Sequence, residues 1–157
     1  DWAARVPAAA AARIAGRGLT ACVASSDVHE HGKNLIARML EHLGVGIVDG
    51  GASIDADDLV ATALARRADV IAVSTYNGIA LRYAREVKEA LARAGADLPV
   101  CIGGRLNQVP DDSNTGLPVD VRTDIRRLGV MPCDTPEDLI RLLADFVDLP
   151  PSHQDAP

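Results

Sequence analysis

Short apolar runs alternate with longer segments whose apolar residues recur at helical spacing, and this alternation constrains the fold more than any other feature. The apolar runs occupy residues 19–24, 45–48, 69–74, 100–102 and 130–131, and the helical patterns occupy residues 34–43, 57–67, 79–94, 121–128 and 136–147. Because a helix follows each strand, the pattern favours parallel strands with the helices packed on the sheet. Aromatic residues make up only 3% of the chain, so Ala, Val, Leu and Ile must form the core, which suits a buried parallel sheet.

This pattern predicts an α/β domain with a five-stranded parallel sheet covered on both faces, the flavodoxin-like doubly wound arrangement. The predicted domain spans residues 19–147, after an N-terminal helix or linker at residues 1–18 and before a disordered tail at residues 148–157. Residues 105–119 form a polar loop that is too long for a simple connector, which predicts a functional or interface role for it.

Charge and composition argue against several kinds of partner. The net charge is −6 and no cluster of Lys and Arg stands out, so neither nucleic acid nor an anionic membrane is an expected partner. No apolar run approaches the length needed to cross a bilayer. The cysteines Cys22, Cys101 and Cys133 are far apart in the chain, and the first two lie in apolar runs. Buried, reduced thiols in a cytoplasmic protein account for them most simply.

The turn from the first strand into the first helix of the sheet reads Asp27-x-His29-x-x-Gly32. In parallel α/β proteins, ligands bind at such turns. A histidine there can face a metal through one ring nitrogen while a carboxylate holds the other nitrogen. Gly32 would let the backbone turn tightly and approach a bulky ligand. The plainer alternative is that Asp27 caps the following helix and His29 is a solvated loop residue.

The third and fourth strands end in small residues that would share an edge of the sheet with this turn. Ser74-Thr75-Tyr76 ends the third strand and Gly103-Gly104 ends the fourth. We call this carboxyl edge of the sheet the rim. Small residues there would leave a slot, and the Ser74 hydroxyl could hydrogen-bond a heteroatom buried in it. Taken singly, a strand-ending serine and a glycine pair in a turn are ordinary features. A P-loop and a Gly-x-Gly-x-x-Gly fingerprint are both absent.

Together these residues resemble the motifs of the cobalamin-binding domain of the base-off, histidine-on class, found in adenosylcobalamin-dependent mutases and methionine synthase. That family carries the Asp-x-His-x-x-Gly turn, a Ser-x-Leu at the third strand and a Gly-Gly at the fourth. The first and last motifs match, whereas Tyr76 stands where the family has leucine. The resemblance covers roughly residues 19–146, and the substitution puts the packing against the cofactor's tail in question.

The resemblance implies a role for each motif residue. His29 would be the lower axial ligand of cobalt, displacing the cofactor's dimethylbenzimidazole, and Asp27 would hydrogen-bond its other nitrogen. Gly32 would let the helix start close to the corrin. The nucleotide tail would enter a slot between the first and third strands, where Ser74 would bond the benzimidazole nitrogen and glycines would leave room. The implied cofactor-binding set is Asp27, His29, Gly32, Ser74, Gly103 and Gly104, with His29 as the metal ligand.

Other polar residues near the rim are weaker candidates. Glu30, His31, Asn77 and Arg105 lie on predicted loops there and would be placed to meet corrin amides. His31 is the rival metal ligand, but its spacing from the aspartate does not fit the motif. Two further histidines read as surface residues, namely His42 and His153.

The resemblance implies a cobalamin-binding domain or small subunit of an adenosylcobalamin-dependent carbon-skeleton mutase. The substrate, an acyl-CoA or similar molecule, would be held by a partner barrel domain or large subunit, so the chain would not be catalytic alone. The missing initial Met favours a domain of a longer mutase. The alternatives are a corrinoid methyl-transfer carrier, a non-catalytic cobalamin-sensing module and, less favoured, a cofactor-free flavodoxin-like scaffold. A receiver domain would need a phosphorylatable aspartate at the third strand, which Ser74-Thr75-Tyr76 does not supply.

Overall fold

The computed structural model describes residues 3–110 and 116–148. A 3₁₀ turn at Ala3–Arg5 precedes the first helix. The helices are α1 Ala8–Gly16, α2 His31–His42, α3 Ala56–Ala65, α4 Ala80–Arg93, α5 Arg122–Arg127 and α6 Pro136–Val147. The strands are β1 Thr20–Ser25, β2 Gly46–Ala52, β3 Val70–Thr75, β4 Val100–Gly104, β5 Asn107–Gln108, β6 Val119–Asp120 and β7 Met131–Cys133.

Five of these strands form one sheet in the order β2-β1-β3-β4-β7, and all its pairings are parallel. This confirms the predicted flavodoxin-like doubly wound sheet. Strand residues alternate between two apolar cores, so Cys22 packs with the core that includes α3 and α4, whereas Val23 packs with the core that includes α1, α2 and α6. The sheet is therefore buried on both sides, and its accessible positions are its edges.

The N-terminal segment packs onto the domain. Ile14 of α1 is fully buried and belongs to the same core as Leu40 of α2 and Leu143 of α6. The predicted disordered tail lies outside the described residues, apart from Asp148. None of the helices in residues 3–110 and 116–148 is both long enough and apolar enough to span a bilayer.

Strand β2 is longer than predicted. The predicted strand covers only residues 45–48, but β2 continues to Ala52 through an irregularity at which Asp49 pairs with Val23 and Gly51 pairs with Ala24. Gly50 is the extra residue of this bulge. A Cβ at Gly50 would lie 2.8 Å from Leu59 Cδ1, so the strand can pass close to α3 only with glycine there.

Helix α6 begins with a side-chain cap, whereas α2 and α3 begin without one. Thr135 caps α6 with Pro136 in its first turn, and the Asp138 side chain completes a capping box. Asp55 precedes α3 but makes no side-chain capping hydrogen bond. Helix α2 begins at His31, three residues before the predicted start.

The predicted long loop is partly ordered. β5 and β6 form a two-stranded antiparallel ladder, and Gln108 also bridges to Ile79 just before α4. Val109 donates a backbone hydrogen bond to the carbonyl of Gly78. These contacts hold the start and the end of the loop beside the carboxyl end of β3.

Candidate functional site

The three motifs meet at the rim, as predicted. In the parallel register Ser25 of β1 pairs with Ser74 of β3, and Ser74 pairs in turn with Gly103 of β4. The Asp27–Gly32 turn leaves β1 directly above this row. The rim therefore brings together segments that are about fifty and thirty residues apart in the chain.

Asp27 holds His29 by two contacts to a single oxygen. Its Oδ1 accepts a hydrogen bond from the His29 backbone nitrogen and lies 2.9 Å from His29 Nδ1. Because an ionised carboxylate only accepts, Nδ1 carries the proton and Nε2 keeps its lone pair. The Asp27 side chain is 5% exposed and the His29 side chain is 48% exposed. A buried carboxylate thus orients a half-exposed imidazole, whose Nε2 has the lone pair that a metal would need.

The second oxygen of Asp27 ties this turn to β3. Oδ2 accepts hydrogen bonds from the backbone nitrogens of Tyr76, at 2.8 Å, and Asn77, at 3.2 Å. Burial alone would raise the pKa of Asp27, but the hydrogen bonds from His29, Tyr76 and Asn77 outweigh it and lower that pKa. The carboxylate therefore stays ionised, as a histidine-orienting group requires. In contrast to the plainer alternative, Asp27 makes no capping hydrogen bond to α2, which has Glu30 at its cap position.

Tyr76 lies against His29 and does not enter the slot. The two ring centroids are 4.4 Å apart with the planes tilted by 35°. The Arg105 guanidinium lies over the Tyr76 ring, 4.0 Å from its centroid. We call His29, Tyr76 and Arg105 the stack. The sequence left the packing of residue 76 against the cofactor's tail in question, and the structure places the Tyr76 ring outside the slot lining, at the exposed surface.

A slot opens beside the stack, but not where it was predicted. The prediction placed it between the first and third strands, whereas the structure places it over the ends of β3, β4 and β7, between α2 and α6. Its volume is about 170 Å³. It is lined by Gly32, Leu35, Ile36, Met39, Val73, Ser74, Cys101, Gly103, Gly104, Cys133, Asp134, Thr135, Pro136 and Leu139. At the ends of β1 and β3, Ser26 Oγ donates a buried hydrogen bond to Thr75 Oγ1.

Each motif glycine makes room for a particular neighbour. A Cβ on Gly32 would overlap Ser74 Oγ, so glycine there leaves the Ser74 hydroxyl in its place at the end of β3. A Cβ on Gly103 would lie 3.0 Å from the Cys133 carbonyl oxygen. Gly104 has φ +100°, and a Cβ there would overlap the Thr75 carbonyl oxygen. Glycine at this position allows the close backbone approach that brings Arg105 over Tyr76.

Cys101 and Cys133 line the inner wall of the slot, and their side chains contact each other. A hydrogen bond to Cys133, together with burial, raises the pKa of the Cys101 thiol, which therefore stays protonated. All three cysteines are free, and Cys22 and Cys101 are buried as predicted. No motif in the sequence indicated that Cys133 lines the slot. The capping signal at Thr135 could have located Cys133. It marks the start of α6, and Cys133 ends the edge strand two residues earlier.

Of the weaker candidates, Arg105 belongs to the stack and the others do not. Asn77 reaches the site only through its backbone nitrogen, and Glu30 forms an ion pair with Lys33 at 3.0 Å. His31 is exposed at the start of α2 and His42 is exposed at its end. His153 lies outside the described residues. Of the described histidines, only His29 combines exposure at the rim with a carboxylate on one nitrogen.

Comparison with known proteins gives one family and several relatives. A model of the B12 binding domain matches residues 16–122. Ethylmalonyl-CoA mutase from Cereibacter sphaeroides is 30% identical over 125 residues, which is 78% of this chain and 18% of the mutase. The 2-hydroxyisobutanoyl-CoA mutase small subunit from Aquincola tertiaricarbonis is 30% identical over 118 residues, which is 73% of this chain and 79% of that subunit.

A relative from a different reaction class also matches. The methanol–corrinoid protein of Methanosarcina barkeri is 33% identical over 95 residues, which is 59% of this chain and 36% of that protein. The relatives thus divide between acyl-CoA mutases and a methanol–corrinoid protein, and the chain spans only a part of most of them. Because the family model covers more than half of the sequence, the chain belongs to the B12-binding domain family and is a cobalamin-binding domain.

Proposed function

We propose that this domain holds cobalamin with His29 as the lower axial ligand of cobalt and presents it to a catalytic partner. The observation that carries the proposal is the pair formed by Asp27 and His29. The buried carboxylate holds Nδ1 at 2.9 Å, which leaves Nε2 as the donor atom at the rim. Cobalt in a corrin needs only one ligand from below, so one oriented imidazole suffices. Hydrogen bonding to a carboxylate also makes the imidazole a stronger donor.

The slot suits the displaced nucleotide tail of the cofactor. Its walls are mainly apolar, with Ile36, Met39 and Leu139 among them, and Ser74 supplies a hydroxyl. An apolar cavity of about 150 Å³ is large enough to bind benzene. The slot has a volume of about 170 Å³ and is open at the rim, so a fused benzimidazole ring can enter it while the ribose and phosphate remain outside. Ser74 would then hydrogen-bond the ring nitrogen that cobalt has released.

The chain and the cofactor would divide the chemistry between them. Adenosylcobalamin, when bound, supplies radical chemistry through its cobalt–carbon bond. The residues of this chain would bind and orient it: His29 from below, Asp27 behind the imidazole, and the slot around the tail. We infer that the substrate is held by a partner, either a barrel domain of the same polypeptide or a separate large subunit.

We favour a mutase that rearranges an acyl-CoA or similar substrate. Two acyl-CoA mutase relatives align with 73–78% of this chain, against 59% for the methanol–corrinoid protein. The second candidate is a methyl-transfer carrier, which the 33% identity to the methanol–corrinoid protein supports. Free, buried cysteines favour a reducing compartment, so we propose a cytoplasmic location.

Replacing His29 with Ala tests the axial ligand. The wild-type domain is titrated with cobalamin and followed by absorption spectroscopy, with a shift to the histidine-ligated form as the expected result. His29→Ala should lose that form and bind at least about tenfold more weakly. The matched control is His31→Ala, two residues away and exposed, which should keep the wild-type spectrum. An unchanged spectrum in His29→Ala, or its loss only in His31→Ala, contradicts the assignment.

The reaction class requires a separate measurement. The domain is captured from cells in which it is native, and the protein that co-purifies, or the remainder of its own polypeptide, is identified. A barrel of the acyl-CoA mutase type supports the mutase. A methyltransferase subunit instead supports the carrier.

A further inference from the structure

The stack is the part of the rim in which this chain departs from the family's motif pattern. Tyr76 takes the position of the motif leucine, and an aliphatic side chain there could not stack on an imidazole. In this chain, its ring packs on His29 with the centroids 4.4 Å apart. The side chain is 43% exposed, so the contact contributes little to the core. A large aromatic ring kept at the surface, against the predicted metal ligand, calls for an explanation at the site.

The Asp27 contact alone does not fix the orientation of the His29 ring. A hydrogen bond at Nδ1 restrains that atom, but the ring can still tilt through the side-chain torsions of His29. Half of the His29 side chain faces solvent, so the core does not oppose that motion. A ring packed on one face of the imidazole does oppose it. Tyr76 occupies that face, and its own backbone nitrogen is bound to Asp27 Oδ2 at 2.8 Å.

Arg105 holds the tyrosine from the other side. Its guanidinium carbon lies 4.0 Å from the Tyr76 centroid, within the range of a cation–π contact. The backbone supports this placement, because the Arg105 nitrogen donates a hydrogen bond to the Thr75 carbonyl at 2.9 Å. Within residues 3–110 and 116–148, no carboxylate forms an ion pair with Arg105. Its placement therefore follows from the ring and the backbone.

We propose that Tyr76 is a positioning residue that holds the His29 imidazole in its ligating orientation, with Arg105 backing the tyrosine ring. The proposal rests on His29 being the axial ligand of cobalamin. It predicts that the stack is present before the cofactor binds. The stack then lowers the cost of ligation because the imidazole is already restricted in orientation.

The first experiment is NMR of the cofactor-free domain. The Tyr76 ring should shift the His29 ring protons upfield through its ring current. Tyr76→Leu should abolish that shift, whereas Tyr76→Phe, which keeps the ring and loses only the hydroxyl, should retain it. Equal His29 shifts in the wild type and Tyr76→Leu would refute the stack, whatever the cofactor does.

The second experiment is the cobalamin titration with the same variants. Tyr76→Leu should reduce the population of the histidine-ligated form and weaken binding by about fivefold, the effect of losing one aromatic pair. Tyr76→Phe should bind within about twofold of wild type, and Arg105→Met should weaken binding by about twofold. Circular dichroism checks that the variants are folded. We expect the Tyr76 variants to fold, because Tyr76 is exposed.

These outcomes separate the two proposals. If the wild type never shows the histidine-ligated spectrum, the axial ligand assignment is wrong. If the wild type shows it and Tyr76→Leu shows it equally at the same affinity, only the positioning role is wrong. A loss in Tyr76→Phe as large as that in Tyr76→Leu would also refute the role, because the ring is then not the active element.

Discussion

The two sides of the rim are adjacent but are built in different ways. On the β1–β3 side, Asp27, His29 and Tyr76 are held by hydrogen bonds of 2.8–2.9 Å and a ring contact. On the β3–β4–β7 side, Gly32 and Gly103 line the slot, and the lack of a side chain at each lets a neighbouring group approach closely. The first side depends on side chains that contact one another, and the second depends on glycines that have no side chain.

This difference teaches how each side tolerates change. A hydrogen-bonded cluster fails when one partner is lost, since the remaining groups stay buried without a partner. A slot lined by glycines is disturbed when an atom is added. Whether the unfolding free energy or the cobalamin affinity falls depends on what that atom meets. Substitutions on the two sides should therefore give separable signatures in unfolding and in cobalamin titration.

The largest effect is expected at Gly104. Gly104→Ala places a Cβ onto the Thr75 carbonyl oxygen and forces alanine to φ +100°. The neighbouring atom is backbone and cannot move aside, so the variant should lose about 3 kcal/mol of unfolding free energy in urea titration. The control is Gly95→Ala, at φ +66° with nothing within 4 Å of the added carbon, which should lose about 1 kcal/mol. Equal losses would contradict the explanation.

Asp27→Asn should have the next largest effect, on cobalamin binding. The two oxygens of Asp27 accept from donors of His29 on one side and of Tyr76 and Asn77 on the other. An amide nitrogen cannot accept a hydrogen bond, so asparagine loses the hydrogen bonds either to His29 or to Tyr76 and Asn77. Cobalamin affinity should fall by about 10- to 100-fold in a titration followed by absorption. Asp58→Asn, an exposed change on α3, should bind as wild type, and a wild-type affinity in Asp27→Asn would show that the carboxylate does not tune His29.

Gly32→Ala should lower affinity without lowering stability. The added carbon would displace the Ser74 hydroxyl, which can rotate away, while alanine favours the helix more than glycine does. We expect about fivefold weaker cobalamin binding, the effect of losing about one hydrogen bond, and unchanged or higher unfolding free energy. In a Ser74→Ala background the same substitution should cost no further affinity. If the two substitutions weaken cobalamin binding additively, Gly32→Ala does not act through the Ser74 hydroxyl.

The smallest effect is expected at Lys33, a buried cation on the hydrogen-bonded side. It lies 3.0 Å from both Glu30 and Asp49, whose side chains are exposed. Lys33→Met keeps the apolar stem, and both carboxylates can be hydrated, so we expect a loss below about 1 kcal/mol and unchanged cobalamin affinity.

The difference in unfolding free energy between the wild type and Lys33→Met should depend on pH, because the pKa values of Lys33 and Asp49 are shifted. Burial opposes the charge on Lys33, but hydrogen bonds to Asp49 and Glu30 outweigh burial and raise its pKa above 10.5. The pKa of Asp49 is lowered, by a hydrogen bond from Gly51 and then by Lys33. The stabilisation is therefore present between the ordinary pKa values of the two groups, 3.8 and 10.5, and is lost as pH rises above or falls below that range. Urea unfolding should show the two proteins converging at high pH, and a gap that widens there would contradict this account.

Much of the site followed from local patterns. Asp27 and His29 are two residues apart, so their contact depends on one turn, and the spacing was enough to predict it. Ser74 and Gly103 were placed at neighbouring strand ends by the alternation alone. The length of β2 was predicted wrongly, because Asp49-Gly50-Gly51 has the composition of a turn, whereas in the structure these residues continue the strand and Gly50 packs close to Leu59.

By itself, the sequence determined the parallel sheet and the histidine turn, because apolar periodicity and short spacings act within single segments. Only the tertiary structure decided the position of the slot, the entry of Cys133 into its wall and the place of Tyr76 on His29. Those features depend on side chains from segments far apart in the chain, and their mutual orientation is set by packing. A tyrosine that the sequence suggested as an obstruction is, for that reason, a neighbour of the imidazole.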